Sequence, residues 1–103
     1  MSGSLVDRWV ALRGELSLAL ALSKPYVVRL LDALSKVGEV HVSELSRLSR
    51  GKHSLVVATL ELLEGLGLAE VRKYGNVKMA RFMPRELRIV YRRGRGVKVE
   101  VEP

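Results

Sequence analysis

The chain has 103 residues, a net charge of +7 and no cysteine, and 48% of its residues are hydrophobic. This length fits one domain, and the hydrophobic fraction is typical of a chain that folds. The lack of cysteine excludes disulfides, thiolate catalysis and zinc ribbons. No apolar stretch approaches the roughly 20 residues of a membrane helix, and the N-terminus does not resemble a signal peptide. We therefore expect a cytoplasmic protein without membrane association.

The positive charge is concentrated in the last third of the chain. Residues 1–71 contain eight basic and eight acidic residues, whereas residues 72–98 contain ten basic residues and one acid, Glu86. A basic excess confined to one region predicts a surface that binds a polyanion. The lack of glutamine, the single asparagine and the many arginines also fit the charged surface of an archaeal thermophile. That interpretation does not explain the segregation of charge.

The first predicted element is one helix over residues 4–22. Ser4 and Asp7 have the spacing of a capping box, and apolar residues at helical spacing follow them. Gly14 is unfavourable inside a helix, and the leucines between 16 and 22 also alternate as in a strand. The leucine and alanine content favours the helix. A second helix is predicted from Pro25 to about Gly38, followed by a short strand over residues 39–42.

Two short helices are predicted next, separated by a turn at residues 50–53. Ser43 and Ser54 are their predicted N-caps, and Leu45 and Leu48 are predicted to face inward on the first. Residues 68–73 and 77–83 then alternate as two strands around the turn 75–76, whose Gly-Asn pair tolerates positive φ.

Residues 84–103 allow two interpretations. Leu87, Val90 and Tyr91 could form one face of a helix that begins after Pro84. Alternatively, residues 87–92 and 97–102 could form a hairpin. The strict alternation of residues 97–102 predicts a strand in either case.

The order helix, short strand, short helix, turn, helix, hairpin resembles a winged helix-turn-helix, and residues 22–83 are similar to the ArsR- and MarR-like regulators of archaea and bacteria. The resemblance rests on residues 22–34, on residues 42–48 and on the helix end Leu63–Leu68, which reads Leu-x-x-Leu-Gly-Leu before a basic hairpin. The expected fold class is α+β, mainly α, in a single domain over residues 1–103. It comprises a minimal winged helix at 22–83, an added helix at 4–22, and an extension at 84–103 that holds a strand or hairpin.

The resemblance implies a dimeric transcriptional regulator that binds double-stranded DNA. The helix from Ser54 would be the recognition helix in the major groove, and residues 75–76 would be the tip of the wing. Its outward positions hold no strong base reader, so we expect contacts mainly to phosphate. The predicted DNA-binding residues are Arg47, Arg50, Lys52, His53, Ser54, Leu55, Ala58, Arg72, Lys73, Tyr74, Asn76, Lys78 and Arg81. The predicted dimer interface is Leu5, Trp9, Leu12 and Leu16.

A protein–protein module in a nucleic-acid-processing assembly is the alternative function. Its support is the apolar set Leu55, Val57, Ala58 and Leu62 on the predicted outer face. An enzyme is not expected, because no catalytic constellation is present. His41 and His53 alone cannot make a metal site, so we expect neither metal nor cofactor. The sequence shows no evident binding segment for a small-molecule effector.

Overall fold

The computed structural model describes residues 5–103, so the predicted capping box at Ser4 lies outside the described residues. The described chain forms five helices and five strands. In chain order they are α1 (Leu5–Arg13), α2 (Glu15–Leu22), α3 (Pro25–Lys36), β1 (Glu39–His41), α4 (Val42–Ser49), α5 (His53–Gly65), β2 (Ala69–Tyr74), β3 (Val77–Phe82), β4 (Glu86–Arg92) and β5 (Gly96–Glu102).

Helices α3 to α5 and strands β1 to β3 form a winged helix-turn-helix. The three strands make an antiparallel sheet in the order β1-β3-β2, with Val40 opposite Ala80 and Val71 opposite Ala80 on its other side. Strands β4 and β5 form a separate two-stranded antiparallel sheet. The expected α+β, mainly α class is confirmed.

The core is a leucine-rich cluster that draws on α1 to α5 and on both sheets. Apolar residues three and four apart give α3 and α5 one buried stripe each, as helical periodicity predicts. Helix α3 packs against β3, α5 against β2, and α2 against β5. Burial of these apolar faces is the main stabilising contribution. The largest fully buried side chains are Val6, Leu18, Leu22, Val27, Leu30, Leu34, Leu45, Leu63 and Leu68.

The single helix predicted over residues 4–22 is wrong, because the chain forms two helices that meet at Gly14. This residue has φ 92° and ψ 157°, a backbone conformation that is open essentially to glycine alone. Its amide still bonds to the Val10 carbonyl at 2.9 Å. The alternating leucines belong to α2, where Leu18 and Leu22 are buried and Leu16 and Leu20 are exposed.

Three predictions in the helix-turn-helix are wrong in detail. Strand β1 ends at His41, and α4 begins at Val42, so Ser43 lies in the first turn and is not the N-cap. Helix α5 begins at His53 after Lys52, so Ser54 is likewise inside the helix and does not cap it. Leu48, predicted to face inward, is 41% exposed.

The last segment forms the hairpin and not the helix. Its strands pair from Glu86 opposite Glu102 to Arg92 opposite Gly96, around a three-residue turn. The apolar face, with Val99 at its centre, packs on the protein body. Glu15, the first residue of α2, accepts a hydrogen bond from the Val99 amide at 3.2 Å. This bond joins the N-terminal helix α2 to the C-terminal hairpin.

The wing turn also differs from expectation. Tyr74 lies opposite Val77, so the loop has two residues. Gly75 has φ 63°, whereas Asn76 does not have a positive φ. Positive φ at the first central residue alone is the pattern of a type II′ turn.

Replacing Gly14 tests the break between α1 and α2. A side chain at Gly14 would meet nothing within 4 Å, so only backbone strain opposes it. We expect Gly14→Ala to lower the free energy of unfolding by about 1–3 kcal/mol. Gly38→Ala is the control, because a side chain there also meets nothing within 4 Å and φ is not positive. Urea denaturation measures both, and equal stability of the two variants would contradict the strain.

Candidate nucleic-acid interface

The turn between α4 and α5 has a fixed conformation. Arg50 ends α4 in the left-handed region, with φ 56° and ψ 34°, and the Gly51 amide donates to the Ser46 carbonyl at 3.1 Å. A side chain at Gly51 would come within 3.1 Å of Val56. The Ser46 hydroxyl lies 3.4 Å from Nδ1 of His53. These contacts set the angle at which α5 leaves the turn.

The outer face of α5 is smaller and less apolar than the sequence predicts. Ser54, Leu55, Ala58 and Glu61 are exposed, as expected. Val57, expected on the outer face, is half-buried and packs against the core. Leu62, also expected there, is half-buried in the same way. The freely exposed apolar surface of α5 is therefore limited to Leu55, 37% exposed, and Ala58.

Two lysines of the wing share one face, and one of them, Lys78, lies beside α5. Lys73 and Lys78 are directly opposite each other on β2 and β3, so they share one face of the hairpin. Lys78 lines a cleft with His53 and Asn76, which brings three of the predicted DNA-binding residues together. No acidic partner within ion-pair distance is found for either lysine among the described residues.

The predicted arginines of the wing form ion pairs with one acid. The Glu70 carboxylate lies 2.8 Å from the Arg72 guanidinium and 3.0 Å from that of Arg81. A hydrogen bond from Arg72 to the side chain of Tyr74, together with Glu70, raises the pKa of Arg72. Tyr74 is half-exposed and already engaged by this arginine. These three predicted residues are therefore less available to phosphate than the two lysines.

Arg47 is similarly engaged. Its guanidinium bonds to the Glu44 carboxylate one turn earlier on α4. This contact lowers the pKa of Glu44 and raises the pKa of Arg47. Arg50 and Lys52, in the turn, are exposed and have no acid within ion-pair distance among the described residues.

The basic excess of residues 72–98 is not one continuous face. In the C-terminal hairpin, Glu100 receives Arg88 at 3.6 Å and Arg92 at 3.1 Å, and Glu102 receives Arg85 at 3.7 Å. Both acids lie just outside the basic segment in the sequence and opposite it in the sheet. These ion pairs therefore neutralise much of the positive charge of residues 72–98, because their acidic partners lie outside that range of the sequence.

The cleft beside the wing also contains residues that the sequence analysis did not assign to DNA binding. His41 and Ser43 line it with Lys78. His41 is opposite Met79 in the β1–β3 pairing, which places the start of α4 next to the wing. No sequence signal indicated this neighbourhood, because it depends on the strand register.

The four residues predicted at the dimer interface have different environments. Leu12 and Leu16 are 85% and 62% exposed, and Leu20 is 61% exposed. Leu5 is 42% exposed and its side chain lies against Gly67, while the neighbouring Val6 is the buried residue of α1. Trp9 is half-buried against the core, with the Arg13 guanidinium 5.0 Å from the ring centre, a cation–π distance.

No group of three histidine, aspartate or glutamate residues within residues 5–103 is arranged to hold a metal ion. Over the same range, none of the helices has the length and apolar character to cross a membrane.

Comparison with known proteins identifies the fold. No family model and no curated protein matches the chain. A possible transcriptional regulatory protein from Mycobacterium bovis, solved as the fragment 1–100, is 26% identical with a TM-score of 0.54, over 73% of this chain and 81% of that one. A MarR family transcriptional regulator from Silicibacter pomeroyi DSS is 23% identical with a TM-score of 0.55, over 76% of this chain and 52% of that one. The chain therefore shares the fold of a possible transcriptional regulatory protein and of a MarR family transcriptional regulator, and it spans about half the length of the second.

Proposed function

We propose that this protein binds double-stranded DNA as a transcriptional regulator, mainly through phosphate contacts. The observation that carries the proposal is the pair Lys73 and Lys78 on one face of the wing: among the described residues neither forms an ion pair, and Lys78 lies beside the start of α5. The fold shared with a possible transcriptional regulatory protein and a MarR family transcriptional regulator supports it.

Docking would place α5 in the major groove and the wing on the adjacent backbone. The exposed start of α5, with Arg50 and Lys52 in the preceding turn, would approach phosphates. Glu61 faces outward on the same helix and would be repelled by them, so docking would use the first two turns of α5. Neither Leu55 nor Ala58 can hydrogen-bond to a base edge, and each offers at most contact with a thymine methyl.

A protein–protein module is less well supported by the structure. That alternative depends on a contiguous apolar patch, and Val57 and Leu62 are half-buried. The remaining exposed pair, Leu55 and Ala58, is small.

The proposed regulator is a homodimer. Leu12 of α1 and Leu16 and Leu20 of α2 are the most exposed leucines of these helices, and Leu16 and Leu20 lie one turn apart on α2. Leu5 and Trp9 would act in this dimer mainly by holding α1 in place. A two-fold interface would present two recognition helices to one DNA duplex.

Replacing Lys73 and Lys78 by alanine tests the phosphate contacts. We expect weaker duplex binding for all sequences alike, with a slope of log K against log salt smaller by about 1.8, because each phosphate contact contributes about 0.9. Arg85→Ala with Arg88→Ala is the control, since it removes the same charge from the C-terminal hairpin. Titration at several salt concentrations measures both, and equal slopes for wild type and the lysine variant would remove the wing from the mechanism.

Sequence discrimination tests the role of α5. One good bidentate base contact contributes about 1–3 kcal/mol, and the exposed face of α5 has no residue that makes one. We therefore expect a preference for the best site over random duplex below about 10³, the lower end of specific binding. Selection from randomised duplexes and competition at physiological salt measure it. A sharp consensus that is lost in Leu55→Ser would show that apolar and shape readout are sufficient. No duplex binding, together with a protein partner that requires Leu55, would instead support the protein–protein module.

Surface substitutions test the dimer. Deletion of the first helices would remove the buried Val6 and Leu18, so we choose Leu12→Ser with Leu16→Ser and Leu20→Ser. We expect the dissociation constant of the dimer to rise by about tenfold or more, because burying a leucine contributes about 1.5–3 kcal/mol. Leu48→Ser with Leu55→Ser is the control for loss of exposed apolar surface elsewhere. Sedimentation equilibrium distinguishes them, and a wild-type monomer at micromolar concentration would reject the dimer.

A further inference from the structure

We propose that the outer edge of β4 is a second self-association surface, on which β4 of another copy pairs antiparallel to form a four-stranded sheet. This inference goes beyond DNA binding and does not use α5 or the wing. It rests on the direction of backbone groups in β4, on the groove beside this strand and on the charges along it.

The backbone of β4 has unpaired hydrogen-bonding groups along one edge. The Val99 amide donates to Glu15 and not to β4, and Val99 lies opposite Ile89. Ile89 and Val99 therefore form a non-hydrogen-bonded pair, in which the N–H and C=O groups of each residue point away from the other strand. The same alternation turns the groups of Leu87 and Tyr91 outward. Over residues 5–103, β5 is the only strand paired with β4.

The free edge of β4 borders an apolar groove. The groove has a volume of about 470 Å³ and runs between β4 and α3. Leu31 and Val28 of α3 line it, with Leu87 and Ile89 of β4. Val28 is 50% exposed, and Tyr91, further along β4, is 79% exposed. An open strand edge next to exposed apolar side chains is a template for the addition of another strand.

Charge favours a second copy of β4 in one register. With a two-fold axis at Ile89, the outward groups of Leu87, Ile89 and Tyr91 meet those of Tyr91, Ile89 and Leu87 in the second copy. Glu86 of each copy then lies opposite Arg92 of the other, in addition to the exposed ion pairs that these residues form within each copy with Arg88 and Glu100. Opposite charges directly across a sheet are favourable, whereas like charges are not.

Neighbouring registers are unfavourable. A shift of two residues in one direction places Arg88 opposite Arg88 of the other copy. A shift of two residues in the other direction places Arg88 opposite Arg92. A shift of one residue turns the unpaired backbone groups away from each other. The register centred on Ile89 is therefore the favoured one.

The same arrangement covers the exposed apolar side chains. Directly paired residues in adjacent strands point to the same face of a sheet. Leu87, Ile89 and Tyr91 of the second copy would therefore lie over the groove, against Val28 and Leu31. The edge of β5 has no equivalent role, because Glu15 already bonds to it at Val99.

A single cysteine at the axis tests this register. The natural chain has no cysteine, so Ile89→Cys gives one thiol per copy. The two Cα atoms would be about 5.5 Å apart, within the roughly 4.4–6.8 Å range of disulfides. Val97→Cys is the matched control, since Val97 is also half-buried on the same face. It would be three strand spacings (about 14 Å) across the sheet and four residues (about 14 Å) along it from its symmetry mate, or about 20 Å in all. We expect a disulfide dimer for Ile89→Cys and none for Val97→Cys under mild oxidation at micromolar concentration.

A charge variant in the Ile89→Cys background separates this surface from the leucines of α1 and α2. Glu86→Arg would place arginine opposite Arg92 of the other copy, and we expect cross-linking at least fivefold slower. Glu102→Arg makes the same charge change on β5 and should leave the rate unchanged. Each change removes the like-charge pair of Glu86 with Glu102 and also one exposed ion pair, that of Glu86 with Arg88 or of Glu102 with Arg85. Because an exposed ion pair contributes at most about 1 kcal/mol, we expect both variants to stay folded, which thermal unfolding checks.

Three outcomes would overturn the proposal. They are the absence of an Ile89→Cys dimer in folded protein, equal cross-linking of Val97→Cys, and a rate insensitive to Glu86→Arg. If Ile89→Cys does not fold, a mixture of Arg88→Cys and Val90→Cys proteins tests the same register, because these positions would be about 4.5 Å apart between copies. The mixture should cross-link faster than either protein alone, and equal rates would reject the register.

Discussion

A two-stranded hairpin is not stable alone in water, and the need to cover β4 and β5 therefore constrains both ends of this chain. Helix α2 supplies the cover, and its first residue, Glu15, satisfies the buried amide of Val99. For α2 to lie there while α1 packs against the end of α5, the chain must turn sharply between the two helices. Gly14 makes that turn possible. The N-terminal helices are thus part of the same packed body as the winged helix, and their exposed leucines are what remains after the hairpin is covered.

Ion pairing, and not the number of basic residues, determines which positive charges remain available to bind an anion. Most arginines of the last third form an ion pair with an acid, as Arg88 does with Glu100 directly opposite it. The wing lysines, Lys73 and Lys78, face each other instead, and neither forms an ion pair among the described residues, although Lys78 shares a cleft with Glu61 and Glu64 of α5. A compact, strongly hydrated ammonium suits contact with phosphate as a point charge, whereas bidentate recognition of guanine requires an arginine fork. The pairing pattern thus favours backbone contact over base reading.

Much of the fold could be predicted from the sequence, because the periodicity of α3 and α5 and the turn at Gly75 are strong local signals. The boundaries were less predictable. The serines at 43 and 54 are favourable caps, but the pairing of β1 with β3 fixes where α4 begins, and that pairing is long-range. The break at Gly14 depends on the packing of α2 against the C-terminal hairpin. That contact joins distant parts of the chain, so the local sequence pattern does not predict it. For the candidate site, exposure of Leu55 followed from helical spacing, whereas the neutralisation of the arginines required the strand register.

The proposed phosphate contacts and the two proposed self-association surfaces are physically compatible. Neither the exposed leucines of α1 and α2 nor the edge of β4 includes a residue of α5, so association through either leaves the recognition helix free. When two copies are joined, the second helix binds at an effective concentration set by the geometry of the dimer, and the combined affinity can exceed that of one copy by about 10²–10⁴ without a new base contact. A protein whose contacts are mainly to phosphate can in this way bind DNA tightly, with the spacing between its two helices supplying the selectivity that α5 lacks.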